Sequence, residues 1–393
     1  MSKGFIVRKL GAEILDSAQY YHVITITGPR QSGKTTLCKE LFPNLPYVNL
    51  ENIESLLMVE QDPVKFIASH PNGVIIDEAH HFPTIFSYIQ VAVDDDIYKG
   101  KKDRKFIVTG SSNFTLLENI TQSLAGRTAV LNLLPLSLQE LSEEERNQSA
   151  DTLILNGGYP SFWSNKLPRE KLFRDYYTTY IERDVRKIVN VKDLRQFQTF
   201  LGLCAGRIGT EFNASALSNE VGVTKITINN WLNILAASYI LYLLPPYFEN
   251  IGKRLVKTPK IYFYDTGLAT YILGVENEAQ LSKHPLRGQL FENMVINEMM
   301  KERINLGKEP KLYFYRDQSQ REIDVIRMQA QSLEVFEIKS AMSLNRDFFK
   351  HLNYFKGLLG DRVTRSAVIY DGTNLTNQPI DGVYNFRNFR LDE

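Results

Sequence analysis

"ITITGPRQSGKTTL", residues 24–37, decides the fold of the first third of the chain. An apolar, β-branched run leads directly into Gly28. Gly28, Gly33, Lys34 and Thr35 then keep the spacing G-x-x-x-x-G-K-[ST]. A strand that feeds a glycine-rich turn and opens a helix is the context in which this spacing acquires a physical meaning. The glycines let successive backbone N–H groups curl around phosphate oxygens, Lys34 adds positive charge, and the Thr35 hydroxyl can reach Mg²⁺. The expected phosphate-binding set is Gly28, Pro29, Arg30, Gln31, Ser32, Gly33, Lys34, Thr35 and Thr36, with a nucleotide and Mg²⁺ as its ligands. A glycine turn with a chance lysine is the bland alternative, and the flanking strand-and-helix pattern argues against it.

Working outward, residues 1–20 read as a lead-in helix, and residues 21 to about 140 alternate strand-like and helical runs. The strand-like runs are "HVITIT", "YVNL", "NGVIID", "RKFIVTG" and "AVLNLLPLS". Each is almost wholly apolar and helices separate them, which predicts an α/β fold with a parallel sheet covered on both faces. The charge run "DDDIYKGKKDRK" (94–105) reads as a solvated loop or helix end. "NGVIIDEAHHFP" (72–83) places Asp77 and Glu78 at the C-terminal end of a strand, the edge where open α/β sheets bind ligands. Asp77 is expected to hold the metal with Thr35, and Glu78 to polarise the attacking water. An acidic helix cap is the alternative, as it is for His80 and His81, which read as surface or cap residues. "KFIVTGSSNF" (105–114) offers Thr109, Ser111, Ser112 and Asn113 to the γ-phosphate or the water, or as a turn with an N-cap; Ser111 is included in the expected nucleotide site. Hydrolysis also needs a cation on developing charge. Arg127 in "LAGRT" is the first candidate, acting in cis or across a subunit contact, followed by Arg183 and Arg186; each also fits an ordinary ion pair.

Residues 141 to 200 look helical. "NASALSNEVGVTKITINNWLNIL" (213–235) fits a helix-turn-helix capped by Asn213 and turned at Gly222. Val223, Ile228, Trp231 and Leu232 would pack inward; Lys225, Asn229 and Asn230 would face out, toward a DNA major groove or a protein partner. From residue 256 strands return, with a helix at "LRGQLFENMVINEMMKERI". In "REIDVIRMQAQSLEVFEIKSA" (321–341), Asp324 and Glu337 interrupt apolar strands, and side-chain alternation puts Glu337 and Lys339 on one face. Such charges are either paired, solvated at sheet edges, or bound to a cation. Arg316 and Arg321 stand nearby, to meet a phosphate backbone or to neutralise the acids.

The 393 residues, 43% hydrophobic and 23% charged, suit two or three globular domains. A net charge of +1 gives no overall attraction to nucleic acid, so any such binding needs a local patch. Cys38 and Cys204 have neither metal-ligand spacing nor a disulfide framework. "MSKGFIVRKLGAEILD" lacks a signal-peptide core, and "YILYLLPPYF" (239–248) is too short for a membrane span, which points to a soluble cytoplasmic protein with no membrane partner.

Taken together, "GPRQSGKTTL", "IIDEAH", "IVTGSS", "LAGRT", "LPLSLQEL", "YIERDV", "YFYDTGL" and "GQLFENMVINEM" resemble, in that order, a bacterial and archaeal family of AAA-type ATP-binding proteins with a C-terminal domain of unknown function. The resemblance covers almost the whole chain. It implies an AAA-type P-loop ATPase domain over 1–140, a helical connector over 141–200, a winged-helix domain over 201–260 and a PD-(D/E)xK nuclease-like domain over 261–393. It maps nuclease-type metal ligands onto Glu292, Asp324 and Glu337, with Lys339 orienting the water. It also implies a homo-oligomer in which a neighbour completes the ATP site. The expected activity is Mg²⁺-dependent ATP hydrolysis that positions the later domains, with DNA as a candidate partner. The alternatives are an ATP-regulated DNA nuclease, or an adaptor that binds ATP with little turnover.

Overall fold

The computed structural model describes residues 5–110, 123–185, 194–247, 258–372 and 382–392. The chain divides into two compact units, the first built mainly from Met1–Leu136 and the second from most of the remaining residues.

In the first unit, α1 (Leu10–Tyr20) precedes β1 (Val23–Thr27), and α2 (Lys34–Leu41) opens directly from the glycine loop. Next come β2 (Tyr47–Asn49), α3 (Ile53–Gln61), α4 (Pro63–Ala68), β3 (Gly73–Asp77), α5 (Ile85–Tyr98), β4 (Lys105–Gly110) and β5 (Thr128–Asn132). All five expected strands form, in the order β2-β3-β4-β1-β5, and every pairing is parallel. Strand alternation explains the double covering. Val23, Val74, Ile76, Phe106 and Val108 pack with Val59, Phe66, Phe86, Ile89 and Val93 on one side. Ile24, Ile26, Ile75 and Ile107 pack with Leu10, Ile14, Leu37 and Cys38 on the other. Both sheet faces are dry, which is why these strands read as unbroken apolar runs. The charge run at 94–105 is the end of α5 and the turn after it, as its composition suggested.

The second unit begins with short helices, among them α6 (Ala150–Asn156), α7 (Arg169–Tyr176) and, after a π-helical stretch Tyr177–Val185, α8 (Leu194–Ala205). The expected helix pair is present as α9 (Ala214–Val221) and α10 (Lys225–Ala237). Asn213 caps α9 by accepting from the N–H groups of Ser215 and Ala216, at 3.1 and 3.0 Å. Gly222 makes the turn with φ +74°. Ile228, Trp231 and Leu232 are buried, Lys225 and Asn230 exposed, and Val223 and Asn229 half-buried. Ile226, 73% exposed, stands in the middle of the outward face. Strands β6 (Leu241–Leu244) and β7 (Lys260–Phe263) then form a two-stranded antiparallel ladder.

The last part of this unit comprises α11 (Arg287–Asn305), β8 (Leu312–Arg316), β9 (Glu322–Gln329), β10 (Ser332–Lys339), α12 (Lys350–Leu359), β11 (Val363–Tyr370) and β12 (Val383–Asn385). The sheet is mixed, in the order β12-β11-β10-β9-β8: β8, β9 and β10 run antiparallel in turn, and β11 and β12 add in parallel. Leu333 and Val335 share a core with Leu352 and Phe355 of α12, so the odd-numbered face of β10, which carries Glu337 and Lys339, is the face beneath α12. Cys38 and Cys204 are buried free thiols, and burial pushes both thiol pKa values up. No helix among the described residues is long and apolar enough to cross a membrane.

Candidate functional site

The glycine loop sits at the C-terminal edge of β1, with α2 starting at Lys34. Its backbone takes conformations that bring N–H groups inward: Gln31 has φ +63° and Gly33 φ +93°. Gly28 is irreplaceable on steric grounds, since a Cβ there would lie 2.2 Å from the Leu133 carbonyl oxygen. Lys34 is 6% exposed and folds back, donating to the carbonyls of Gly28 at 2.9 Å and Pro29 at 2.8 Å. Burial lowers its pKa to about 8 against the opposing pull of Glu78 and Asp77. Ser32 is fully buried and its hydroxyl has no hydrogen-bond partner. An orphaned hydroxyl and a lysine resting on carbonyls both fit a loop shaped for phosphate oxygens.

Asp77 ends β3 and gathers hydroxyl donors. Its Oδ2 accepts from Thr35 at 2.8 Å and Tyr47 at 2.7 Å, and its Oδ1 accepts from Thr109. Thr35 and Asp77, expected together at the metal, are therefore in direct contact. Thr109 is the described member of the γ-phosphate candidates; Ser111, Ser112 and Asn113 lie outside the described residues. The next residue after Asp77, Glu78, is a non-glycine at φ +51°, and its N–H reaches toward Thr109 Oγ1 at 3.4 Å. Such strain persists where surrounding contacts impose it, commonly at functional positions. His80 Nδ1 lies 3.1 Å from Glu78 Oε2.

Two residues that sequence reasoning passed over brace this site. Arg8, 6% exposed, donates to the Ser32 carbonyl at 2.7 Å and to the Leu134 carbonyl at 2.6 Å, tying the loop to the strand end beside it. Tyr47 buttresses Asp77 from β2 while the Lys39 ammonium lies 3.5 Å from its ring centroid. Neither has a local sequence signature, because each meets its partners across the sheet.

Arg127 lies away from the phosphate loop of its own chain. Thr128 pairs with Val23 at the N-terminal end of β1, and the Val23 N–H donates to the Arg127 carbonyl at 3.4 Å. The phosphate loop leaves the opposite end, roughly 13 Å away at about 3.3 Å per strand residue. The Arg127 guanidinium holds Asp94 in a two-point contact, through Nε and, at 3.0 Å, through Nη2; this contact raises its pKa. The side chains of Arg183 and Arg186 lie outside the described residues.

In the second unit, Asp324, Glu337 and Lys339 do meet. The β9–β10 ladder ends at the Val325–Phe336 pair, and on the next rung the Asp324 carboxylate accepts the Ile338 N–H at 2.7 Å. Lys339 Nζ lies 3.2 Å from Asp324 Oδ2 and also bonds Glu337 Oε2. Glu337 is 2% exposed; burial and the adjacent Asp324 carboxylate push its pKa up to about 9. Glu292 takes a different partner. Its Oε1 accepts from Lys260 Nζ at 3.3 Å and from the Tyr262 hydroxyl, and Lys260 also bonds Glu322. Burial brings the Glu292 pKa up to about 7 despite Lys260. Lys260, 2% exposed, is the largest omission from the sequence reading: a lone lysine at the start of an apolar strand gives no hint of the acids it neutralises. Arg316 pairs with Glu211 at 3.1 Å and Glu322 at 3.5 Å, so it neutralises acids; Arg321 stacks on Tyr354, 4.2 Å from the ring centroid. Among the described residues no three His, Cys, Asp or Glu side chains are already disposed around one point.

Residues 20–142 match the family model described as an AAA domain. The N-terminal unit is therefore similar to AAA-type P-loop domains. Residues 147–279 and 287–389 match two models described as domains of unknown function (DUF8612 and DUF4143). Similar proteins include an uncharacterised protein of Mycobacterium tuberculosis, 29% identical over 358 residues, covering 89% of this chain and 76% of its own length; one from Mycobacterium bovis matches to the same extent. An uncharacterised protein of Methanocaldococcus jannaschii is 21% identical over 305 residues, covering 70% of this chain and 65% of its own length. Among solved structures, a Walker-type ATPase of Pyrococcus abyssi aligns at 14% identity over 67% of this chain and 94% of its own, with a TM-score of 0.41.

Proposed function

We propose that the AAA-type domain binds ATP with Mg²⁺ and hydrolyses it, and that its nucleotide state positions the later segments of the chain. The observation that carries this reading is the Asp77 carboxylate, which collects the Thr35 and Thr109 hydroxyls beside Glu78 at the mouth of the glycine loop. Thr35 and Asp77 would hold Mg²⁺, which neutralises charge between the transferred and leaving phosphoryl groups. Loop N–H groups and the Ser32 hydroxyl bind phosphate oxygens, and Lys34 exchanges its two carbonyl partners for them. Glu78 takes the proton of the attacking water. Arg127 serves the ATP site of a neighbouring copy, which makes a homo-oligomer the working form and accounts for its position at the far edge of the sheet. Phosphate release by the purified protein, lost in Lys34→Ala and Glu78→Gln, tests the reading. Release no higher than in those variants replaces it with an ATP-binding adaptor.

A second activity is favoured by one observation: Asp324, Glu337 and Lys339 converge on one sheet face, and Glu337 Oε1 is buried with no hydrogen bond. That donor set fits a divalent cation held by Asp324 and Glu337, with Lys339 orienting water, in a nuclease-like domain acting on DNA. Glu292 would join only after leaving Lys260. The α9–α10 pair is the candidate to contact the nucleic acid as a winged-helix element, with Lys225 and Asn230 outward. Metal-dependent nicking of DNA, lost in Asp324→Ala and Lys339→Ala, tests this activity, and intact DNA with all three proteins removes it.

A further inference from the structure

The N-terminal edge of the first sheet, opposite the phosphate loop, holds a cavity of about 280 Å³. Tyr20 ends α1, His22 precedes β1, Lys101 and Lys102 follow α5, and Lys105 starts β4; all five line this cavity. The parallel β1–β4 pairing sets His22 beside Lys105: the Phe106 N–H donates to the His22 carbonyl at 2.8 Å, and His22 Nδ1 donates to the Arg104 carbonyl at 3.1 Å. Among the described residues no carboxylate lines the cavity. Neither helix capping nor ion pairing accounts for the lysines. The last carbonyls of α5 already take backbone donors, Asp96 the Lys101 N–H at 2.8 Å and Ile97 the Gly100 N–H at 3.1 Å. The acids of α5 have their own partners, Asp94 in Arg127, Asp95 in Lys99 and Asp96 in Arg104. Lys105 Nζ donates to the Tyr21 carbonyl at 3.1 Å; burial lowers its pKa, Asp103 opposes this and Lys102 adds to it. Lys101 and Lys102 enter no ion pair among the described residues. A chain of net charge +1 thus gathers unmatched positive charge at one edge, the local patch that a polyanion needs.

Beside that charge stand two rings with nothing to pack on. Tyr20 is 74% exposed; Tyr98, 91% exposed, follows Ile97, another residue of the lining. Neither ring has a ring, cation or hydrogen-bond partner among the described residues. Lysines that meet phosphates, interleaved with rings on which bases stack, are the two parts of a single-strand platform. A duplex keeps its base faces stacked inside and offers them to no ring. We infer that this edge of the first unit binds single-stranded nucleic acid, with Lys101, Lys102 and Lys105 on phosphates and Tyr20 stacked on an unpaired base. The cavity is just under the roughly 300–1,000 Å³ of ligand pockets, so it takes one nucleotide of a strand that continues past it. The site lies at the strand ends remote from the phosphate loop, and the inference rests neither on ATP hydrolysis nor on the nuclease-like reading.

The test is fluorescence anisotropy of a labelled oligothymidylate of about 15 nucleotides with the full chain, beside a duplex of equal length. The wild type should prefer the single strand, and log affinity should fall against log salt with a slope of about −2, about 0.7 for each of three phosphates neutralised. Lys101→Glu with Lys102→Glu should cost tenfold or more and flatten that slope. Both side chains are exposed, so thermal melting should show the fold intact. Tyr20→Ala should lose about fivefold or more and Tyr20→Phe almost nothing, a difference that charge alone does not produce. No binding by the wild type, equal affinity for the duplex, or unchanged affinity in the double-lysine variant overturns the inference. So does loss of binding in Lys225→Glu alone, which assigns the strand to the α9–α10 pair. Polyglutamate that competes as well as unlabelled oligothymidylate overturns it too, in favour of an acidic protein partner.

Discussion

Nucleotide affinity should fall as pH rises through the weakly alkaline range, because Lys34 is charged at a cost in the free protein. Burial lowers its pKa to about 8, while a triphosphate against the ammonium favours the charged form and raises that pKa in the complex. Between the two values, binding takes up a proton, so affinity must decline with pH. At pH 7 about ten-elevenths of free Lys34 is charged and at pH 9 about one-eleventh, so affinity should drop about tenfold, or about 1.4 kcal/mol. Neighbouring groups do not confuse the measurement: Tyr47 and Cys38 have raised pKa values and His81 a lowered one. The assay is calorimetric titration with a non-hydrolysable ATP analogue and Mg²⁺ at pH 7, 8 and 9, repeated in buffers of different ionisation enthalpy. About 0.9 proton should be taken up per site at pH 9. Lys34→Arg, whose guanidinium stays charged, should bind more weakly but without this pH slope. Equal wild-type affinity at pH 7 and 9 with no proton uptake refutes the reasoning.

Arg8→Ala should destabilise the first unit by about 2 kcal/mol, since it orphans the Ser32 and Leu134 carbonyls. Denaturant melting and ATP titration would show both effects, and Arg8→Lys should rescue little because one ammonium lacks the fork that spans both oxygens. Lys260→Met should cost about 3 kcal/mol by leaving the buried Glu292 carboxylate without its cation, while Glu322 keeps Arg316. Adding Glu292→Gln should recover part of that loss in a double-mutant cycle, and independent, additive costs would show that the two do not act as a pair. Arg127→Ala removes a partly exposed ion pair, so its effect on stability should stay below about 1 kcal/mol, yet ATP turnover should fall about a hundredfold or more. Mixing inactive Arg127→Ala with inactive Lys34→Ala should restore turnover, because each copy supplies what the other lacks. An inactive mixture, or full activity of Arg127→Ala alone, excludes action across a subunit contact.

How far the sequence can be read depends on where each interaction is encoded. The phosphate loop was legible because its chemistry is local: the turn, the cation and the metal-side hydroxyl occupy eight consecutive positions, residues 28–35, and the strand before them is β-branched throughout and buried on both faces. Asp77 and Glu78 were legible for the same reason, as acids closing a buried strand. Arg8, Tyr47 and Lys260 were not, since each acts on residues far along the chain and looks like any isolated residue of its type. Arg127 shows the opposite case. Its motif is local, but the sequence leaves open whether it acts in cis, across a subunit contact or in an ion pair, and only the sheet register puts it at the strand ends remote from the loop of its own chain.

The acidic strands of residues 321–341 show how a pattern is legible while its balance of charge is not. Period-two alternation alone placed Glu337 and Lys339 together, and the antiparallel register brought Asp324 beside them. The family resemblance assigned Glu292 to that group, but helix α11 presents it to Lys260 on another strand, which divides the acids into two sets with one lysine each. The second set keeps one oxygen, Glu337 Oε1, buried without a hydrogen bond, so a lysine two residues along the same strand satisfies its acids less completely than Lys260 and the Tyr262 hydroxyl satisfy Glu292.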